Sequence, residues 1–416
     1  MEEIINVSVN GVGTCIVMII GTILNCVSIH VIWTKYDRTN IFYRMMIILL
    51  CFDNCVFITW TNLCLALAFG LNNSVILEMI PYFSYPFSHI SISASTFMTI
   101  AISHERYLAI KDPFKYREAN KHPKVQNNRL KMYLLSVILI SVVFNSPHFL
   151  DLEVRYVDLS VDANATSSNL TDSFGGIKYN ITTINTNLKN PDQTLQSNGS
   201  FVELTPMLGY TSLGKHPYYL KYYRNLARLI ICGVVPFVSL IFFNTSIYIA
   251  MKKKTVRQRR LGSLHHLQQG FTSAQQFTGI SVGDNQIITD RNLVASIKRK
   301  DEDNLSMVFI VIVIGFLSCH SLKFILNFYD GFFGKVGVTT GYRIASYFSN
   351  FLIVLNSAIN TIIYCIMNQK FRSHFWRTMA NLFPCMEWCM ETKNTRNQSP
   401  DLALPCPPPR RFSLFI

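Results

Sequence analysis

The chain has 416 residues, of which 50% are hydrophobic and only 15% are charged, whereas soluble domains carry about 25% charged residues. That balance excludes a string of ordinary soluble domains and points to a membrane protein. The formal charge of +14 is gathered in short basic runs between apolar segments, the arrangement of cytoplasmic loops, which argues against nucleic-acid binding.

A helix needs about 20 mostly apolar residues to cross bilayer hydrocarbon. Segments near 12–34, 42–69, 79–110, 130–150, 225–250, 305–329 and 344–367 meet that requirement, so the expected fold is all-α, a seven-transmembrane helix bundle within 12–367. Residues 1–11 form an extracellular N-terminus, and without an evident cleavable leader the first span acts as its own signal anchor. Basic links at Lys35, Arg38 and Arg44, then 111–131, then 252–300 fall on alternate sides. The positive-inside rule therefore places the N-terminus outside. Cys15, Cys26, Cys51, Cys55, Cys64, Cys232, Cys319 and Cys365 lie within apolar segments, where thiols serve as small fillers.

Asn-x-Ser/Thr acceptors at Asn6, Asn72, Asn164, Asn169, Asn180 and Asn198 all fall on the side that the charges call outside, and are expected to carry glycans. Asn244, Asn304 and Asn397 fit the same pattern but lie within or behind the membrane. The connection 151–222 is too long for a simple link. Its tyrosine-rich end, up to Arg224, reads as an interfacial belt or as a peptide-binding rim.

The second long connection, 252–304, is a polar cytoplasmic loop. Past the last span, Phe371, Phe375 and Met379 share a helical face over 368–380, which predicts a short amphipathic eighth helix on the inner leaflet. A cytoplasmic tail, 381–416, follows, with Cys385 and Cys389 as palmitoylation candidates.

Polar groups inside spans are expensive and read as functional by default. Asn25, Asp53, Ser95, Asn356, Ser357 and Asn360 form one such set. Asp53 requires a proton, a cation or several donors. Tyr85, Ser88, His89, His320, Lys323 and Asn327 are candidates for an outer ligand pocket. His320 is either a titrating switch or a buried neutral imidazole.

The third span ends in Glu105-Arg106-Tyr107-x-Ala-Ile-x-x-Pro-x-x-Tyr116. Read alone, these charges are the basic flank of a membrane helix. The run also resembles the third-helix signature of rhodopsin-like (class A) G-protein-coupled receptors. Pro236-Phe with Asn244, Asn145-Ser-Pro-His-Phe-Leu150 and Phe316-x-x-Cys319 look like the invertebrate neuropeptide receptors related to FMRFamide receptors.

That resemblance implies that Arg106 is held by Glu105 at rest and later meets a heterotrimeric G protein. It further implies that Glu302 closes the inner face and that Tyr364 takes part in the rearrangement. Asp53, Ser95, Asn356, Ser357 and Asn360 match the positions that surround an allosteric sodium ion in that family. Oxygen donors suit such a hard cation.

The chain departs from the family by reading His320-Ser-Leu322 after Cys319 and Asn360-Thr-Ile-Ile-Tyr364 in the last span, so two helix prolines are missing. No cysteine stands at the start of the third span or within 151–222, which leaves the family's outer disulfide no partners. The expected protein is a multi-pass plasma-membrane receptor, not an enzyme, whose partners are an extracellular FMRFamide-like peptide, a G protein and membrane lipids. The alternatives are a seven-helix ligand-gated channel subunit, which would place the N-terminus inside, and a non-signalling decoy receptor.

Overall fold

The computed structural model describes residues 2–37, 39–69, 74–158, 171–174, 177–180, 204–272, 306–330 and 339–382. Its long helices are α1 (Glu2–Lys35), α2 (Ile41–Phe69), α3 (Tyr85–Lys111), α4 (Pro123–Asn145), α5 (Tyr219–Lys254, continuing to Thr272), α6 (Ser306–Asp330) and α7 (Thr340–Met367). A shorter α8 (Gln369–Leu382) follows.

All of the long helices except α3 are long and apolar enough to cross a membrane, six candidate spans among the described residues. Helix α3 is more polar because it packs against α2, α4 and α5. Its buried surface is lined by Ser88, Ser91, Ser93, Ser95, Thr99 and Ser103.

The distribution of side chains is inverted relative to a water-soluble protein. Asn25, Asp53, Asn145, Asn356 and Asn360 are buried, while Ile58, Met132, Leu135, Leu139, Val143, Val238, Phe242, Ile314 and Ile366 face outward. Helices that satisfy their own backbone groups and present an apolar outer surface are what hydrocarbon tolerates. The fold is a multi-pass membrane helical bundle.

Local signals set the joints. Asp37 Oδ1 accepts from the Thr39 amide at 2.8 Å after α1, and Asn40 Oδ1 accepts from the Phe42 amide at 3.0 Å to start α2. Asp112-Pro113 ends α3 and begins the short helix Pro113–Asn120, with proline in the first turn where its missing N–H is not needed. Thr339 caps α7 through the Tyr342 amide at 3.3 Å, and Asn368 caps α8 through the Phe371 amide at 3.0 Å. At Gly21 a Cβ would sit 2.6 Å from the Phe57 ring and 2.9 Å from Ala358 Cβ, so glycine is what lets α1 approach α2 and α7 closely.

Helices α6 and α7 run unbroken through His320 and Asn360, as expected where the interrupting prolines are absent. On α8 the apolar face meets protein. Phe371, Phe375 and Met379 are buried in the bundle core, with the Phe371 ring 5.6 Å from Tyr364 and 6.3 Å from Tyr36.

Part of the 151–222 connection is a β-ribbon. Strand β1 (Leu152–Asp158) pairs antiparallel with β4 (Leu204–Tyr210), Leu152 opposite Tyr210, and β2 (Thr171–Phe174) pairs with β3 (Ile177–Asn180). Leu152, Leu208 and Tyr210 cluster with Tyr85 and Ile80 at the head of α3, so the ribbon lies on that end of the bundle. At the same end Val7–Gly13, Ile80–Ser84, Tyr219–Ala227 and Leu229–Val234 form widened π-helical turns, a geometry often associated with functional sites.

Candidate functional site

Three polar centres follow one another along the bundle. Midway, Asp53 on α2 is fully buried. Ser95 donates to its Oδ1 at 2.7 Å and Asn360 Nδ2 donates to its Oδ2 at 2.8 Å, with the Ser357 hydroxyl also within reach. Asn25 Nδ2 donates to the Ser357 carbonyl at 3.1 Å, and Thr361 donates to Asn25 Oδ1 at 3.0 Å.

Asn356 Oδ1 is buried without a hydrogen-bond partner. The Asp53 carboxylate is thus met by the Ser95 hydroxyl and the Asn360 amide nitrogen, and it supplies the one formal negative charge of this centre.

The end of α3 away from the ribbon holds the charged triplet. Glu105 is fully buried, and Arg129 of α4 reaches both its oxygens, at 2.7 and 2.6 Å, while Tyr133 donates at 3.1 Å. The expected partner, Arg106, instead lays its guanidinium 3.3 Å above the Phe42 ring. Its Nε and Nη2 are buried with no hydrogen-bond partner among the described residues.

Two neighbours complete this end. The Tyr364 hydroxyl contacts Met46 Sδ at 2.5 Å, and Tyr107 turns toward α5, 5.7 Å from the Phe243 ring. Tyr116, on the short helix beyond α3, is pushed up to about 12 by burial and then by the Glu105 charge.

At the ribbon end, Asp151 closes α4. His148 Nδ1 lies 2.6 Å from its Oδ2, Tyr219 of α5 donates to its Oδ1, and the Tyr85 hydroxyl is 3.4 Å away. Thr211, just past β4, donates its amide to the Asp151 carbonyl at 3.0 Å. Asp151 therefore joins α3, α4, α5 and the ribbon. Burial works to raise its pKa, but the bonds from His148 and Tyr219 outweigh burial and hold it below the usual carboxylate value.

Because that pKa is depressed, the stabilisation is complete above the ordinary carboxylate value of about 3.9 and is lost as pH falls through the lower folded value. At neutral pH, Asp151→Asn should cost about 3 kcal/mol, the loss of charge-assisted bonds to a buried group. Thermal unfolding of the purified protein at a series of pH values should show this difference at pH 7 and its shrinkage in acid.

Around this junction stand Arg224 and Arg228, which motif reading did not single out, and Lys323, which it did. Arg228 Nη2 lies 2.8 Å from His89 Nδ1. Arg224 Nη2 donates to the Tyr210 hydroxyl at 2.7 Å, and its guanidinium lies 4.7 Å above that ring. Lys323 Nζ is 3.5 Å from Asn350 Oδ1.

Of the expected pocket residues, Tyr85, His89 and Lys323 belong to this cluster. Ser88 does not, because it is fully buried and its hydroxyl donates to the Tyr85 carbonyl at 2.7 Å. His320 stacks on Phe316 at 4.1 Å. Asn327 is half-buried one turn beyond Lys323.

Asn6 is buried on α1, and its Oδ1 accepts from Asn10 at 3.0 Å. Asn180 ends β3. Glu302, Asn72, Asn164, Asn169, Asn198, Cys385 and Cys389 lie outside the described residues.

No protein-family model matches the chain. The chain is similar to a protein named FMRFamide receptor from Drosophila melanogaster, with 22% identity over 292 residues. That similarity covers 70% of this chain, and the chain spans 38% of the length of that relative.

Proposed function

We propose that this protein is a rhodopsin-like G-protein-coupled receptor for an extracellular peptide of FMRFamide-like type. The observation that carries the reading is the Arg106 end of α3. A cation is buried there, detached from Glu105 and short of hydrogen-bond partners. An unpaired buried guanidinium is costly to keep, and a partner's helix C-terminus, with its free carbonyls, is suited to receive it. The similarity to a receptor supports the same reading.

In this reading α3 also crosses the membrane and brings the spans to seven, the ribbon end faces outside and the Arg106 end faces the cytoplasm, across a plasma membrane. Ligand binding shifts the population toward an open inner face. Asp53, Ser95, Asn356, Ser357 and Asn360 hold sodium in the closed state, and Glu302 and Tyr364 take part in closing and reopening that face. Glycans sit on the outer loop, and Cys385 and Cys389 are acylated. The test is peptide-evoked G-protein activation in cells expressing the chain, with Arg106→Ala as the control.

A further inference from the structure

The ribbon end gathers three cations that no carboxylate neutralises directly. Arg224 and Arg228 are one turn apart on the widened start of α5, and Lys323 stands on α6 within electrostatic reach of both. None of the three has an ion pair within 4.0 Å among the described residues. The two nearby carboxylates have donors of their own, Asp151 through His148 and Tyr219, and Asp330 through Tyr342 at 2.5 Å.

Arg224 Nη1 is cut off from solvent with no hydrogen-bond partner. The three side chains are otherwise half-buried, so part of each stays accessible. Unpaired cations held together under a β-ribbon are unfavourable unless something anionic joins them.

We infer that Arg224, with Arg228 and Lys323 beside it, receives an anionic group of the ligand, a side-chain carboxylate or a tyrosine sulfate. A planar guanidinium with a free Nη1 suits two-pronged recognition of such oxygens. Aromatic rings stand beside the cations: Tyr210 lies under the Arg224 guanidinium, and Tyr85 packs on His89, which lies against Arg228. An acidic residue in an otherwise amidated peptide therefore fits. This inference rests on the receptor reading above but departs from Phe-Met-Arg-Phe-amide itself, which carries no acidic group: it requires an acidic residue elsewhere in such a peptide.

The test uses the purified full-length chain in lipid nanodiscs and four probes: acetyl-Phe-Glu-Phe-amide, acetyl-Phe-sulfotyrosine-Phe-amide, and the glutamine and arginine counterparts. Binding is read by thermal shift and by competition. At least one anionic probe should bind about tenfold or more tightly than the glutamine probe, as a charge-assisted bond implies. The better of the two anionic probes identifies carboxylate or sulfate as the natural group.

That advantage should vanish in Arg224→Gln and persist in Tyr210→Phe, which removes the same hydrogen bond but keeps the charge. Equal or better binding of the neutral or arginine probe overturns the inference, as does an advantage untouched by Arg224→Gln and Arg228→Gln, or no binding by any probe. Activation of a G protein by a wholly cationic peptide would overturn it while leaving the receptor reading in place. Anionic-probe binding with no G-protein activation by any ligand would do the reverse.

Discussion

Arg129→Gln should lower the stability of the purified protein by about 3 kcal/mol, while Glu105→Gln costs clearly less and the double variant costs no more than Glu105→Gln alone. The asymmetry follows from exposure. The Glu105 side chain is 0% exposed and the Arg129 side chain 21%. Removing the arginine strands a carboxylate with no water, whereas removing the carboxylate frees a guanidinium that can swing out.

The partial exposure of Arg129 is also why the lower end of the range for buried pairs is used. Thermal or denaturant unfolding of the three variants forms a double-mutant cycle. Additive losses would contradict the Glu105–Arg129 pairing. A fall for Glu105→Gln as large as that for Arg129→Gln would mean that Arg106 is the true partner.

The second large effect concerns sodium. If Asp53 and its oxygen neighbours hold the ion, replacing choline chloride by sodium chloride at constant ionic strength should raise the unfolding midpoint of the ligand-free protein. The gain is about 1.4 kcal/mol at ten times the dissociation constant. Asp53→Asn keeps the shape and removes the charge, so its midpoint should not respond to sodium. A wild-type midpoint indifferent to sodium, or an equal response in the variant, would remove sodium from the account.

The helices were readable because each crosses about the same thickness of hydrocarbon and so requires a long apolar run. The polar residues on α1, α2, α3 and α7 were readable for the opposite reason, since Asp53, Ser95 and Asn360 interrupt such runs and must find one another. Arg129 was not legible as the partner of Glu105. It sits in the basic stretch from Lys124 to Lys131, where every cation reads as the flank of a span, and only the packing of α4 on α3 selects it.

Arg224 and Arg228 were obscured in the same way, one inside a tyrosine-rich rim and the other at the mouth of an apolar run. Spacing could have exposed them, because two arginines four residues apart at the start of a span share a face. The docking of α8 was hidden because an amphipathic face has the same sequence pattern whether it meets lipid or protein.

The central claim is that the Arg106 end passes a signal to a G protein. It is tested most directly by nucleotide exchange on purified heterotrimeric G proteins, measured with the full-length chain in nanodiscs and an activating peptide found in the cell screen. The account predicts peptide-dependent exchange that is abolished in Arg106→Ala, with peptide binding to that variant retained. Exchange that continues undiminished in Arg106→Ala, or peptide that binds the wild type without exchange on any G-protein class, would contradict it.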